Sequence, residues 1–221
     1  MTLRSPGRRV AIAGLVAGAA ALAWTPLAFA GAQVEEPLAD SVRSALSAAI
    51  AQSAPPPELR FDDIQDRLAY LRWLGAMSEK LKKNKSEGRE RIEFLQTLWY
   101  ESRRAGLEPA LVLGLVQVES GFRKYAISVS GARGYIQVMP FWARQIGDGD
   151  AARLFLMQIN LRFGCVILRH YLNVENGDLF MALGRYNGSR GQAAYPQMVL
   201  GARKRWEWTD PRAAPASAAS R

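Results

Sequence analysis

Glu119 is the one acid between Glu108 and Asp148, and it closes a stretch that otherwise reads as the wall of a core: Leu111-Val112-Leu113-Gly114-Leu115-Val116-Gln117-Val118. At helical period it shares a face with Val112 and Leu115, and Ser120-Gly121 ends the pattern just after it. A carboxyl placed there is partly desolvated, which raises its pKa and lets it hold a proton near neutrality for donation to a leaving group. Helix position alone leaves a second reading open, a helix-end Glu leaning into solvent. Other chemistry-bearing residues are sparse. Cys165 is the only cysteine, so no intramolecular disulfide can form, and its helical spacing with Leu161, Leu168 and Leu172 makes it a core filler. His170 is the only histidine and has no paired ligand at metal spacing; it is expected at the surface or as a cap, with no metal and no cofactor.

The residues after Glu119 narrow the chemistry. Glu119-Ser120 is followed by Ala126-Ile127-Ser128, by Gly131-Ala132-Arg133-Gly134, by Gln137-Val138-Met139-Pro140, and farther on by Tyr186-Asn187-Gly188. These ordered blocks resemble the catalytic domain of the soluble lytic transglycosylases, relatives of goose-type lysozyme. That family's pattern runs Glu-Ser, Ala-x-Ser-x-x-Gly-Ala-x-Gly-x-x-Gln-x-Met-Pro, then Tyr-Asn-x-Gly. The resemblance extends from Leu95 to Trp208. It departs at Tyr135-Ile136, where Leu-Met is usual, at Trp142, where Thr is common, at Arg185 before Tyr-Asn, and at Ser189. Trp142 reads as a buried aromatic at a helix start, with contact to a longer glycan by Trp142 or Arg185 as the alternative.

The resemblance implies a mainly α, lysozyme-like domain with a structured catalytic loop and extra N-terminal helices. It also implies cleavage of the β-1,4 bond between N-acetylmuramic acid and N-acetylglucosamine in peptidoglycan glycan strands, without water, leaving a 1,6-anhydro end. Glu119 would serve first as acid and then as base. Ser128 and Gln137 are expected to contact the sugar, Met139 to form an apolar platform, and Tyr186 and Asn187 to face Glu119. Glycoside cleavage usually needs a second carboxylate. Asp148, Asp150, Glu175 and Asp178 are instead explained by turns and caps. Two other readings stay open: a hydrolase of the goose-lysozyme kind, and a non-catalytic wall-binding accessory.

Positioning Glu119 falls to helices. An Ala-rich amphipathic stretch carries Leu38, Val42, Leu46 and Ile50 and stops at Pro55-Pro56-Pro57, a stiff linker. A second helix, capped by Asp62 or Asp63, presents Ile64, Leu68, Leu71, Leu74, Met77 and Leu81 as its apolar stripe. A third opens at Ser86 or Gly88 and stops at Gly106, and Pro109 suits the first turn of the helix that ends at Glu119. Residues 122–138 read as a loop that wants burial beside the acid. Helices resume at Phe141 or Trp142, then over Asp150 to Leu172, Asp178 to Tyr186 and Ala193 to Trp208.

The expected organisation is a signal peptide over 1–30, the Ala-rich helix and Pro linker over 31–57, a helical extension over 58–90, the catalytic domain over 91–208 and a disordered tail over 209–221. At 221 residues and 49% apolar composition the chain can bury one core. Arg4, Arg8 and Arg9 lead into an apolar run from Val10 to Ala23, too short for the ~20 residues of a spanning helix, and Ala28-Phe29-Ala30 offers a cleavage site. Export to the periplasm or cell envelope is therefore expected. Losing those arginines lowers the formal charge from +9 to +6. The basic surface favours anionic lipid or wall polymers, so peripheral association with membrane or wall is expected and envelope proteins are admitted as partners. Nucleic acid is not a partner, since the export signal and the lack of any recognition motif argue against it.

Overall fold

The computed structural model describes residues 33–51 and 59–212; the expected leader, the triproline linker and residues 213–221 lie outside them. Eight α-helices are described: α1 (Asp40–Ala51), α2 (Ile64–Leu81), α3 (Gly88–Arg104), α4 (Pro109–Ser120), α5 (Pro140–Ile146), α6 (Met157–Val174), α7 (Leu179–Asn187) and α8 (Ala194–Trp206), with a 3₁₀ turn at Ala151–Phe155. The protein is mainly α. Helix ends follow local chemistry. The Asp63 side chain accepts from Gln65 N at 3.0 Å to start α2, Glu87 does the same for α3, and Pro109 opens α4 where its missing N–H costs nothing.

The core is organised around α4, buried on every face from Ala110 to Val116. A helix apolar all round must be surrounded. α3 packs on one side, and α8 lies across Gly114 so closely that a Cβ there would sit 2.6 Å from Arg203 N. α6 packs against α3 and α7, and α1 lays Leu46 and Ile50 onto the same core through α5 and α6.

Three expectations shift. In α2 the buried residues are Tyr70, Trp73, Leu74, Met77 and Leu81, while Ile64, Leu68 and Leu71 are exposed. The aromatics take the buried face, with Tyr70 packed against the rings of Phe61 and Trp99 at 5.2 and 4.9 Å. The helix read over Asp150 to Leu172 is broken at Leu156, whose extended backbone (ψ 121°) separates the 3₁₀ turn, capped by Asp150, from α6. His170 is half-buried against the rings of Trp142 and Tyr171, and burial pushes its pKa down.

Residues 122–138 fold as an ordered loop pinned by two isolated antiparallel bridges, Ile127 to Arg133 and Arg133 to Val138. Asn160 of α6 holds it from beneath, accepting from Ile136 N at 3.0 Å and donating to Arg133 O at 2.8 Å. Gly134 sits over that amide with φ 78°, and a Cβ there would meet Asn160 Nδ2 at 2.5 Å, so both conformation and space call for glycine.

Candidate active site

Glu119 is the penultimate residue of α4, and the helix stops one residue later on a left-handed Gly121. Only 5% of Glu119 is exposed. Its Oε1 accepts a short hydrogen bond from the hydroxyl of Tyr195, in the first turn of α8, while Oε2 is buried with no hydrogen-bond partner among the described residues. Burial pushes its pKa up to about 8, against a smaller opposing effect of the Tyr195 hydroxyl, which favours the carboxylate. Tyr195 is itself held far above the ordinary phenol range by burial and by the Glu119 charge, so it remains a donor.

Tyr186, fully buried on α7, lies within electrostatic reach of Glu119, whose charge adds to burial in raising the phenol pKa. Its hydroxyl donates to Ile136 O at 2.8 Å, tying α7 to the loop. Ser120 does the same from α4, donating to Tyr135 O at 2.7 Å. The end of the Glu119 helix and the Tyr186 helix are thus both clamped to one loop. Neighbouring Asn187 donates through Nδ2 to Ser189 Oγ at 3.0 Å and leaves Oδ1 buried and unpartnered.

The other expected site residues are placed in the loop itself. Gln137, 1% exposed at a positive φ of 51°, donates from Nε2 to Ala126 O and Gly134 O at 3.1 and 2.9 Å. Both its amide hydrogens brace loop backbone. Ser128 Oγ accepts from Ala132 N at 3.0 Å and closes the turn at the loop's tip. Met139, half-buried, is the residue from which α5 starts. Trp142 is buried at the start of that helix, and Arg185 pairs with Glu175 and Glu36.

Sequence reasoning passed over Tyr195. Its signal was available, because Tyr195, Val199, Ala202 and Trp206 form the buried stripe of α8 and the tyrosine is the hydroxyl-bearing member of it. The acids considered as a second carboxylate are all engaged. Asp148 accepts from Asp150 N and pairs with Arg153, Asp150 caps Ala152 N, and Asp178 caps Met181 N. Glu175 is gripped by Arg185 and Arg190, which hold it down to about 2. A cavity of about 550 Å³ between α1, α3 and α6 does not include Glu119, and its Arg104 and Arg169 are bonded to backbone carbonyls.

The sequence of this chain is similar to known proteins. The family model for the transglycosylase SLT domain matches residues 98–208. Membrane-bound lytic murein transglycosylase C of Actinobacillus pleuropneumoniae serotype 5b (strain L20) is 31% identical over 99 residues, 42% of this chain and 24% of that protein. The transglycosylase of Enterobacteria phage PRD1 is 33% identical over 116 residues, 49% of this chain and 42% of that one. The matched stretch thus spans about a quarter of the first relative and less than half of the second. A solved inactive mutant of lytic transglycosylase Slt from Pseudomonas aeruginosa superposes with a TM-score of 0.46 at 22% identity, covering 63% of this chain and 29% of that one. Because the family model takes in about half of the sequence, and that half carries Glu119, Tyr186 and Tyr195 together, the chain belongs to the transglycosylase SLT domain family.

Proposed function

We propose that this chain is a peptidoglycan lytic transglycosylase in which Glu119 is the single acid and base. The observation that carries the reading is the setting of that carboxyl: buried, with Oε1 taken by the Tyr195 hydroxyl and Oε2 without a partner among the described residues, a burial that pushes its pKa up to about 8 and so favours the protonated form at neutrality. From there Glu119 protonates the bridging oxygen of the β-1,4 linkage between N-acetylmuramic acid and N-acetylglucosamine, and the C1–O bond breaks with oxocarbenium-like charge on the muramic ring. The carboxylate so formed is stabilised by the Tyr195 hydroxyl. It then takes the proton of the same sugar's C6 hydroxyl, whose oxygen closes on C1 to give the 1,6-anhydro product, and Glu119 is protonated again.

The engagement of Asp148, Asp150, Glu175 and Asp178 in caps and ion pairs supports a one-acid route over one with a second carboxylate. We place the protein in the cell envelope, after export directed by residues 1–30. Among the described residues no helix is long and apolar enough to cross a membrane. Mass spectrometry of digested sacculi tests the reaction. Products lighter by one water than hydrolysed fragments are expected, with none from Glu119→Gln; hydrated products, or turnover retained in that variant, would overturn the reading.

A further inference from the structure

Outside the matched domain, residues 33–36 run across the α5 and α7 side of the site. Gln33 is 5% exposed, and its Oε1 accepts from Trp142 Nε1 of α5 at 2.8 Å. Three residues on, Glu36 meets Arg185, the residue before Tyr186, at 3.0 and 3.2 Å, and its carbonyl accepts from Gln145 Nε2 at 3.2 Å. Glu35 adds a looser contact to Arg144 at 3.7 Å. Each exposed pair is weak on its own, but together they fix the segment at both helices.

The Gln33 side chain lies close enough to the Tyr186 hydroxyl to oppose, as a smaller effect, the rise that burial imposes on that phenol, yet its buried Nε2 makes no hydrogen bond of full geometry among the described residues. Asn187 Oδ1 and Glu119 Oε2 are in the same condition. Three such atoms, one on Tyr186's neighbour in sequence, one on Gln33 beside its hydroxyl and one on Glu119 within electrostatic reach of it, are costly unless a ligand supplies what they lack. An N-acetylated sugar does so, with a carbonyl or hydroxyl oxygen for the Gln33 N–H, a hydroxyl hydrogen for Asn187 Oδ1 and the bridging oxygen for the proton on Glu119 Oε2.

Resting on the function proposed above, we infer that Gln33 is a substrate-binding residue of the Glu119 site, held there by the Trp142 and Arg185 contacts, with Nε2 donating to a carbonyl or hydroxyl oxygen of the amino sugar. The N-terminal segment is then a wall of the site contributed from outside the SLT domain, and Trp142, where the family commonly has threonine, is the residue that orients it.

The test is calorimetric binding of a peptidoglycan tetrasaccharide to the full chain carrying Glu119→Gln, which separates binding from turnover. Adding Gln33→Ala or Gln33→Glu is expected to weaken binding about tenfold, the loss of one buried hydrogen bond. Gln33→Glu keeps an oxygen for Trp142 Nε1 while exchanging the amide donor for a carboxyl, so a loss in both variants locates the effect at Nε2 and not at the Trp142 contact. With Glu119 intact, Gln33→Ala should raise KM and leave the alkaline limb of the pH profile in place. Unchanged affinity in both variants would overturn the assignment. So would tighter binding, which would make the segment a plug. If the Glu119→Gln protein itself binds no tetrasaccharide while the native protein cleaves sacculi, Gln33 has no sugar to hold and the assignment fails with the transglycosylase reading intact. If the native protein neither binds nor cleaves glycan, that reading fails first and takes the assignment with it.

Discussion

Burial of Glu119 costs stability. Its pKa rises from an ordinary 4.5 to about 8 on folding, so between those values the folded protein holds a proton that the unfolded chain has released. Stability therefore falls as pH rises through that window. At pH 7 the effect is roughly 3 kcal/mol. Glu119→Gln is accordingly expected to raise the thermal midpoint at pH 7 and to lose that advantage towards pH 4, where the carboxyl is protonated in both states; scanning calorimetry at the two pH values checks this. Activity in the native protein should decline as pH climbs through about 8. Tyr195→Phe removes the donor that opposes burial, which moves the alkaline limb up by about one pH unit. It also lowers kcat, because the carboxylate formed on proton transfer loses its hydrogen bond. A pH profile of kcat that stays in place in Tyr195→Phe would mean that the hydroxyl does not sense the proton on Glu119.

The pair Glu119 and Tyr195 exists only because α4 and α8 approach closely, and the contact that allows it is Gly114, five residues before the acid. Gly114→Ala puts a methyl 2.6 Å from Arg203 N and 2.9 Å from its Cα, which backbone cannot yield without the helices parting. The expected cost is about 1–3 kcal/mol of stability, as for other overpacked cores. A larger fractional loss of kcat should accompany it, with the pH limb shifted as in Tyr195→Phe, and activity and urea denaturation measured together would show both. Much at this scale was legible beforehand. Asp63, Pro109 and Gly121 announce helix ends by local chemistry, and the apolar run from Leu111 to Val118 announces a buried helix. The rotation of α2 was not, since Ile64, Leu68 and Leu71 form as good a stripe on paper as the aromatic face that wins. Nor was the Tyr195 contact, a pairing of residues 76 apart that depends on how two helices cross. Gln137 was legible as a polar residue of the loop beside the acid, but its burial at a positive φ, with both amide hydrogens spent on loop backbone, was not.

Across the whole molecule, the arrangement that keeps the site rigid includes one element no periodicity announces. Arg162 of α6 and Glu101 of α3 meet at 2.7 Å with side chains 2% and 1% exposed, and the guanidinium reaches both carboxylate oxygens. Arg162 sits two residues after Asn160, whose amide carries the loop that clamps Glu119's helix and Tyr186. The ion pair thus joins α6 to α3 within one helical turn of that amide. Removing one member strands a buried charge: Arg162→Met alone is expected to cost about 3–5 kcal/mol, measured by urea unfolding. Arg162→Met with Glu101→Leu should recover most of that, because the double change removes the buried pair together and leaves only the partly exposed Arg104, 3.5 Å from Glu101, without its carboxylate. Activity distinguishes two roles for the pair. If it serves only to satisfy itself, the double variant regains kcat with its stability. If it also positions α6, the double variant folds as firmly as the native protein yet stays slow, since Asn160 no longer meets Ile136 N and Arg133 O at the right height. The register that the forked guanidinium imposes on two helices, which apolar side chains can slide past, makes the second outcome the expected one.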